Sequence, residues 1–290
     1  MRRILYSLTG ILLGSGLLAN LSTQAATLQF NPVLPNFNTA NFDSDASISD
    51  NSFFSLIPGT RFVYEGEKVD AETGESILER DTIFVTFNTK NILGVTTRVV
   101  KHAAYVNNVL VEDTIDWYAQ DTDGNVWYMG EFATNFEYDD EGNLIGTNND
   151  GSWSAGVNGA LPGYIMEANP QVGDNYYQEF APNDGALDQA KVFSIGESVS
   201  IGLGDFNVLK TLETTELDPD VLEFKNYAPG IGLILVEENL DEDLEPEFTS
   251  ELVSIETVSA ESIPEPTGVL GLLGVGLFCW RRQRSKAISA

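Results

Sequence analysis

From Asn51 to about Val258, apolar and polar residues alternate along most of the chain, and the apolar ones are largely the β-branched and aromatic types that favour strands. TRFVYEGEKV and ILERDTIFVTFNT flank DAETGES in the manner of a hairpin. TTRVVKHAAYV and VLVEDTIDWYAQ flank Asn107-Asn108, and WYAQD and VWYMG flank TDGN. Further strands are expected at YYQEF, AKVFSIGESV, FNVLKTLETTEL, LEFKNYA and LILVEE, with a last one at FTSELVSIETV. The acidic EENLDEDLEPEF predicts a solvated turn or a linker, and no stretch carries a helical period or a long repeat. The expected fold is therefore mainly β: an antiparallel sheet of hairpins over residues 51–258, curled into a half-barrel or barrel. Residues 26–50, rich in Asn, Asp, Ser and Pro, predict an irregular lead-in or mobile arm.

Two hairpins can be registered from the pattern alone. A two-residue type I′ turn at Asp123-Gly124 pairs Asp121 with Val126, Ala119 with Tyr128 and Trp117 with Gly130. One face then carries Ile115, Trp117, Ala119, Val126, Tyr128 and Phe132, and is expected to be core. The other carries Asp116, Tyr118, Trp127 and Glu131 among polar neighbours, and is expected to face solvent. A matching turn at Asn107-Asn108 sets His102 opposite Asp113 on the core face. It also sets Lys101 opposite Thr114, one diagonal from Asp116.

The two ends of the chain have a different character. Arg2 and Arg3, an apolar run from Ile4 to Leu18 and small residues through Ala25 have the layout of a secretory signal peptide, residues 1–25. At the other end Pro264-Glu265-Pro266 precedes an apolar, Gly-rich run from Thr267 to Trp280, followed by Arg281, Arg282, Arg284 and Lys286. As a helix that run would reach about 21 Å, short of a ~30 Å hydrocarbon core, which flanking residues or local thinning would make up. Basic residues stay cytoplasmic, so the body would face outward, in agreement with the signal peptide.

This ordered set resembles the PEP-CTERM sorting signal of Gram-negative bacteria, over about the last 27 residues. The resemblance implies processing by an exosortase near Pro264, Glu265 and Pro266, with Arg281 and Arg282 as the basic stop. It also implies membrane attachment, at least transiently, through residues 259–290, a linker and sorting segment with a transmembrane helix at 267–280. An association with exopolysaccharide follows from the same resemblance. Signal peptidase and exosortase are the implied processing partners. Much of residues 55–238, including IPGTRFVYEGE, VEDTIDWYAQDTDGNVWYMGE and NYAPGIGLILVEE, is similar to a group of exported bacterial β-rich proteins with no assigned activity. That similarity bears on fold alone.

Composition narrows the choice. The net charge is −29, and six of the fifteen basic residues lie in the terminal segments, leaving nine in the body. Nucleic acid is excluded as a partner, because phosphate binding needs the opposite sign. The single cysteine, Cys279, lies in the apolar tail, and His102 is the single histidine. An intramolecular disulfide, a Cys nucleophile in the body and a multi-His metal site are all excluded.

The candidate chemistry is then a patch. Asp116 opposite Glu131 sets two carboxylates roughly 4.5–5.5 Å apart at their Cβ atoms. Tyr118 and Trp127 beside them suit stacking on a sugar ring, which makes these four residues the candidate glycan-binding set. A retaining glycosidase needs a similar spacing, so Asp116 and Glu131 are the alternative catalytic pair. His102 with Asp113 could form a base and its orienting partner, although no nucleophile signature accompanies them. Asp121, Asp123 and Asn125 alternate as an EF-hand loop begins, but Val126 stands where that loop needs Gly and Phe132 where it needs Glu. No cofactor or metal is expected. The sequence thus predicts an exported, envelope-sorted, non-catalytic surface or matrix protein associated with exopolysaccharide. A carbohydrate-active hydrolase and an acidic structural module without a specific ligand are the alternatives.

Overall fold

The computed structural model describes residues 29–69, 74, 76–139 and 141–259, with the side chain of residue 220 also undescribed. The expected signal peptide, Pro264, Glu265, Pro266, Arg281, Arg282 and the expected helix at 267–280 lie outside the described residues. Among the described residues no helix is long and apolar enough to cross a membrane.

Two long meanders make the body. The first runs through β1 (Thr60–Val69), β2 (Ser76–Ile92), β3 (Val95–Val106), β4 (Val109–Gln120) and β5 (Val126–Tyr138). The second runs through β11 (Asp188–Ile201), β12 (Gly204–Thr215), β13 (Asp218–Ala228), β14 (Gly232–Leu240) and β15 (Pro246–Thr257). Between them lie the shorter β6 (Leu144–Asn148), β7 (Trp153–Ser154), β8 (Leu161–Met166), β9 (Asn175–Tyr177) and β10 (Glu179–Phe180). Every ladder between these strands is antiparallel, as Val, Ile, Thr, Tyr and Phe in alternation predict. The acidic EENLDEDLEPEF is the tip of the β14–β15 hairpin rather than a linker.

The meanders join where β1 pairs with β15, giving one sheet in the order β10-β8-β5-β4-β3-β2-β1-β15-β14-β13-β12-β11-β9. Its two edges are consecutive in sequence. The extended segment 175–180 bonds to β11 through its first half and to β8 through its second. One short piece of chain therefore stitches both edges, and the sheet nearly closes into a barrel, the expected class of fold. Gly163 on β8 makes the crossing possible: a Cβ there would overlap the carbonyl oxygen of Tyr177 and stand 2.6 Å from that of Gln178.

The lead-in is irregular, as expected, but it is pinned to the sheet rather than mobile. Val33 forms a parallel bridge with Tyr176, and Phe37 and Phe42 pack against Trp127 at ring distances of 5.4 and 6.0 Å. Arg98, buried on β3, donates to the Ser47 carbonyl at 2.9 Å and to the Thr86 and Asn88 carbonyls at 3.3 Å. Gln120 Oε1 accepts from Ser49 Oγ and from the backbone N–H groups of Asp50 and Asn51. Residues 53–56 then turn inward and line the barrel interior.

Candidate functional site

The β4–β5 hairpin carries the candidate patch. Asp116 pairs with Glu131, as the register predicts. The tip differs. A five-residue loop, 121–125, replaces the two-residue turn, so that Gln120 pairs with Val126, Ala119 with Trp127 and Tyr118 with Tyr128. One extra residue on β5 then restores the register before Asp116. Gly130, at φ 134°, sits in this bulge, where any Cβ would stand 2.6 Å from the Trp153 carbonyl oxygen of the adjoining β7.

The bulge exchanges two aromatic residues between faces. Tyr128 joins Asp116, Tyr118 and Glu131, whereas Trp127 goes to the opposite side and is buried beneath Phe37, Phe42 and Tyr164. The carboxylate face expected to meet solvent is thus the inside of the barrel. The expectation failed for a physical reason: a period-2 pattern cannot say which face of a curled sheet points inward. Here the lead-in buries the outer face around Trp127 as well, whereas Phe132, expected in the core, is 46 % exposed farther along that face.

Inside the barrel lies a cavity of about 440 Å³. One of its walls is apolar, with Phe53, Phe54 and Leu56 from the inserted segment facing Phe62, Ile83 and Val100 from the sheet. The rest is acidic. Asp116 and Glu131 line it beside Glu179 from β10 and Asp188 from β11. Asp81, Glu112, Glu223 and Glu238 line it from β2, β4, β13 and β14, with His102 and Lys225 as the basic lining side chains.

Hydrogen bonds fix part of this lining. Tyr128 donates its hydroxyl to Asp116 Oδ1 at 2.6 Å and lies 3.2 Å from Glu131 Oε2, so one phenol bridges both carboxyl groups. Tyr118 stacks on Tyr128 with centroids 4.7 Å apart. His102 meets Asp81 Oδ1 at 2.8 Å. Lys225 meets Glu213 at 2.8 Å and Glu223 at 2.9 Å. Thr114 donates to Glu112 at 2.9 Å.

Burial and mutual repulsion raise the carboxyl pKa values. Burial, with help from Glu112 and against the Tyr128 hydrogen bond and His102, pushes Asp116 up to about 6. Burial and then the charges of Asp116 and Glu112 push Glu131 up to about 8. Burial, Asp188 and Glu131 hold Glu179 well above the usual carboxylate range. Asp188 is raised by burial against a Thr215 hydrogen bond and the charge of Lys225. Burial, Glu223, Glu79 and Asp81 push Glu238 up to about 7. His102 is raised as well: its burial favours the neutral ring but is outweighed by Asp81, Asp116 and Glu112. The interior therefore offers protonated carboxyls as donors beside ionised ones as acceptors near neutral pH.

Other expected pairings are absent. Asp113 lies opposite Ala103, and His102 reaches across to Asp81 instead, because a bulge after Ala104 shifts the β3–β4 register by one. Lys101 pairs with Ile115 and is exposed, so it does not neutralise Asp116. Asp121 is spent on its own loop. Its Oδ1 accepts the N–H groups of Asp123 and Asn125 at 3.0 and 2.9 Å, and its Oδ2 accepts Trp127 Nε1 at 2.8 Å. Asp139 and Asp241 each accept the N–H groups two and four residues on in the same way, which makes these acidic tips loop closures. The Asp121 carboxylate is thus engaged by donors of its own loop and by Trp127, and among the described residues no three acidic or histidine groups around Asp121, Asp123 and Asn125 converge as an EF-hand-like start would need.

The half of the site supplied by β10 to β15 was not foreseen. Its signal is charged residues standing at alternate positions of otherwise apolar strands, such as Glu223 and Lys225 in LEFKNYA. Ser250 belongs to it too. It is 3 % exposed and lines the cavity, and its hydroxyl has no hydrogen-bond partner.

No protein-family model and no curated protein matches the chain. Among solved structures, the chain is similar to a Bacteroides fragilis protein described as exported and as having a YmcC-like fold, at 14% identity and a TM-score of 0.42. That match covers 71% of this chain and 100% of the other. It is also similar to a Parabacteroides distasonis protein described as a lipoprotein, at 11% identity and a TM-score of 0.35, over 72% of this chain and 100% of the other.

Proposed function

We propose that the protein is exported and sorted to the cell envelope by its terminal segments, and that it acts there without catalysis, holding a small polar guest inside its barrel. The cavity carries this reading. A barrel interior is ordinarily filled by side chains, whereas this one keeps about 440 Å³ open among carboxyls, phenols and a histidine. That volume lies within the roughly 300–1,000 Å³ of small-molecule sites. A partly open site of this size suits a small molecule or the end of a chain better than the middle of a polymer. Association with exopolysaccharide, implied by the sorting resemblance, would then act through chain ends or fragments. Export rests on the basic, apolar and small residues of 1–25, and sorting on Pro264-Glu265-Pro266 with the basic end.

One observation favours a second reading. Asp116 and Glu131 share the Tyr128 hydroxyl while their pKa values stand apart, at about 6 and about 8, as a catalytic acid and its partner require. The two readings separate on Asp116→Asn. Calorimetry of the purified full-length chain with a panel of mono- and oligosaccharides and polyols, with product analysis on the same samples, is the test. Binding that persists in the variant, with no cleavage by either protein, supports the binding barrel. Cleavage abolished by the variant moves the assignment to the hydrolase, and neither binding nor cleavage sinks both.

A further inference from the structure

The reading above leaves the guest's chemistry open, and the lining narrows it. Glu112, Asp116, Glu131, Glu179, Asp188 and Glu238 face one cavity, and none of the six takes part in an ion pair among the described residues. The two basic side chains of the lining are already engaged, His102 with Asp81 and Lys225 with Glu213 and Glu223. Among the described residues no three acidic or histidine groups converge closely enough to hold a metal ion. Carboxyls brought to one cavity by five strands suit a guest whose positive charge is carried on separated N–H groups rather than on a point ion.

Ser250 adds an independent pointer. Its hydroxyl lies on the inward face of β15 between the buried Phe248 and Leu252, without a partner, against the wall that also carries Glu238. A buried hydroxyl left unpaired is costly, and a bound N–H donor would satisfy it. Aromatic rings complete the setting. Tyr118, Phe54 and Phe62 line the same space, and their faces attract an ammonium group while packing on its carbon skeleton.

We infer that the guest is an organic cation bearing primary ammonium groups, either an aliphatic polyamine or an amino sugar with its nitrogen free. This rests on the cavity being a binding site. The ammonium groups would donate to the carboxylates that hold no ion pair and to Ser250 Oγ, and would allow carboxyls that are otherwise protonated to ionise.

Calorimetry of the full-length chain at pH 7.5 with matched pairs tests this. The pairs are spermidine against its fully N-acetylated form, and the free-amine glucosamine disaccharide against its N,N′-diacetyl form. The expected result is binding of a free-amine probe at least tenfold tighter than its acetylated partner, with protons released on binding. Which of the two amines binds tells polyamine from amino sugar. Equal or tighter binding of an acetylated probe overturns the ammonium assignment and leaves the binding barrel standing. If no probe of either kind binds and the neutral saccharides and polyols fail as well, both fall. Ser250→Ala supplies the second check, since it deletes an unpaired hydroxyl and leaves the fold intact. It should weaken the free-amine probe about five- to tenfold with no loss of thermal stability, and an unchanged affinity places the guest outside the cavity and overturns the inference.

Discussion

Replacing Asp116 by Asn should make the protein more stable at neutral pH, against the usual rule that removing a buried hydrogen-bonded group destabilises. Asp116 is 6 % exposed, and its pKa stands at about 6 instead of 3.8. The folded state therefore binds this proton more tightly than the unfolded chain does. The resulting stabilisation is fully present below about pH 3.8 and is lost as pH rises through about 6. At about 1.4 kcal/mol per pH unit, the interval corresponds to about 3 kcal/mol given up by the wild type by pH 7.5. Asparagine cannot ionise, and its carbonyl oxygen can still accept the Tyr128 hydroxyl that now meets Oδ1 at 2.6 Å. Removing the charge also relieves Glu131, which the Asp116 carboxylate repels. Urea denaturation at pH 4 and at pH 7.5 should show the two proteins alike at the lower pH, with the variant ahead by up to about 3 kcal/mol at the higher, or roughly 6–12 °C in Tm. A variant that is less stable at both values, or whose advantage does not change with pH, would refute the claim that Asp116 is ionised at a cost inside a barrel.

Gly163→Ala should separate the two edges that segment 175–180 joins, since its Cβ would stand 2.6 Å from the Gln178 carbonyl oxygen; a loss of about 3 kcal/mol or more is expected in chemical denaturation, with faster amide exchange confined to β8 and 175–180. Leu93, at φ 51° in the two-residue β2–β3 turn and 44 % exposed, should gain about 1 kcal/mol on replacement by Asn, which tolerates the left-handed region; an unchanged or lowered Tm would show that its contact near Gly156 outweighs the backbone strain.

Local patterning carried the hairpins. Alternation, Asn107-Asn108 with φ values of 51° and 64°, and the acidic tips placed the strands of the two meanders close to where they lie, whereas β6, β7 and β8 were not foreseen. Asp116 lies opposite Glu131 as the two-residue turn predicts only because the longer loop at 121–125 and the bulge at Gly130 offset each other. Closure was not legible: the meanders join only where β1 meets β15, which pairs Thr60 with Thr257 at opposite ends of the body, and segment 175–180 can stitch the two edges only once that joining has brought them together. The bulge at Gly130 was equally hidden, and with it the exchange of Trp127 for Tyr128 in the site. Nor could the lead-in be seen as packed, since Phe37 and Phe42 show no period among their polar neighbours and acquire a partner only when Trp127 faces outward.

The sequence alone therefore determined the long hairpins, the acidity and the composition of the two ends, because each is legible from near neighbours in the chain. Only the tertiary structure decided that the carboxylates face a common interior. Which face of a sheet is inside depends on how the whole sheet curls, and the pKa of a carboxyl depends on whatever that curling brings against it.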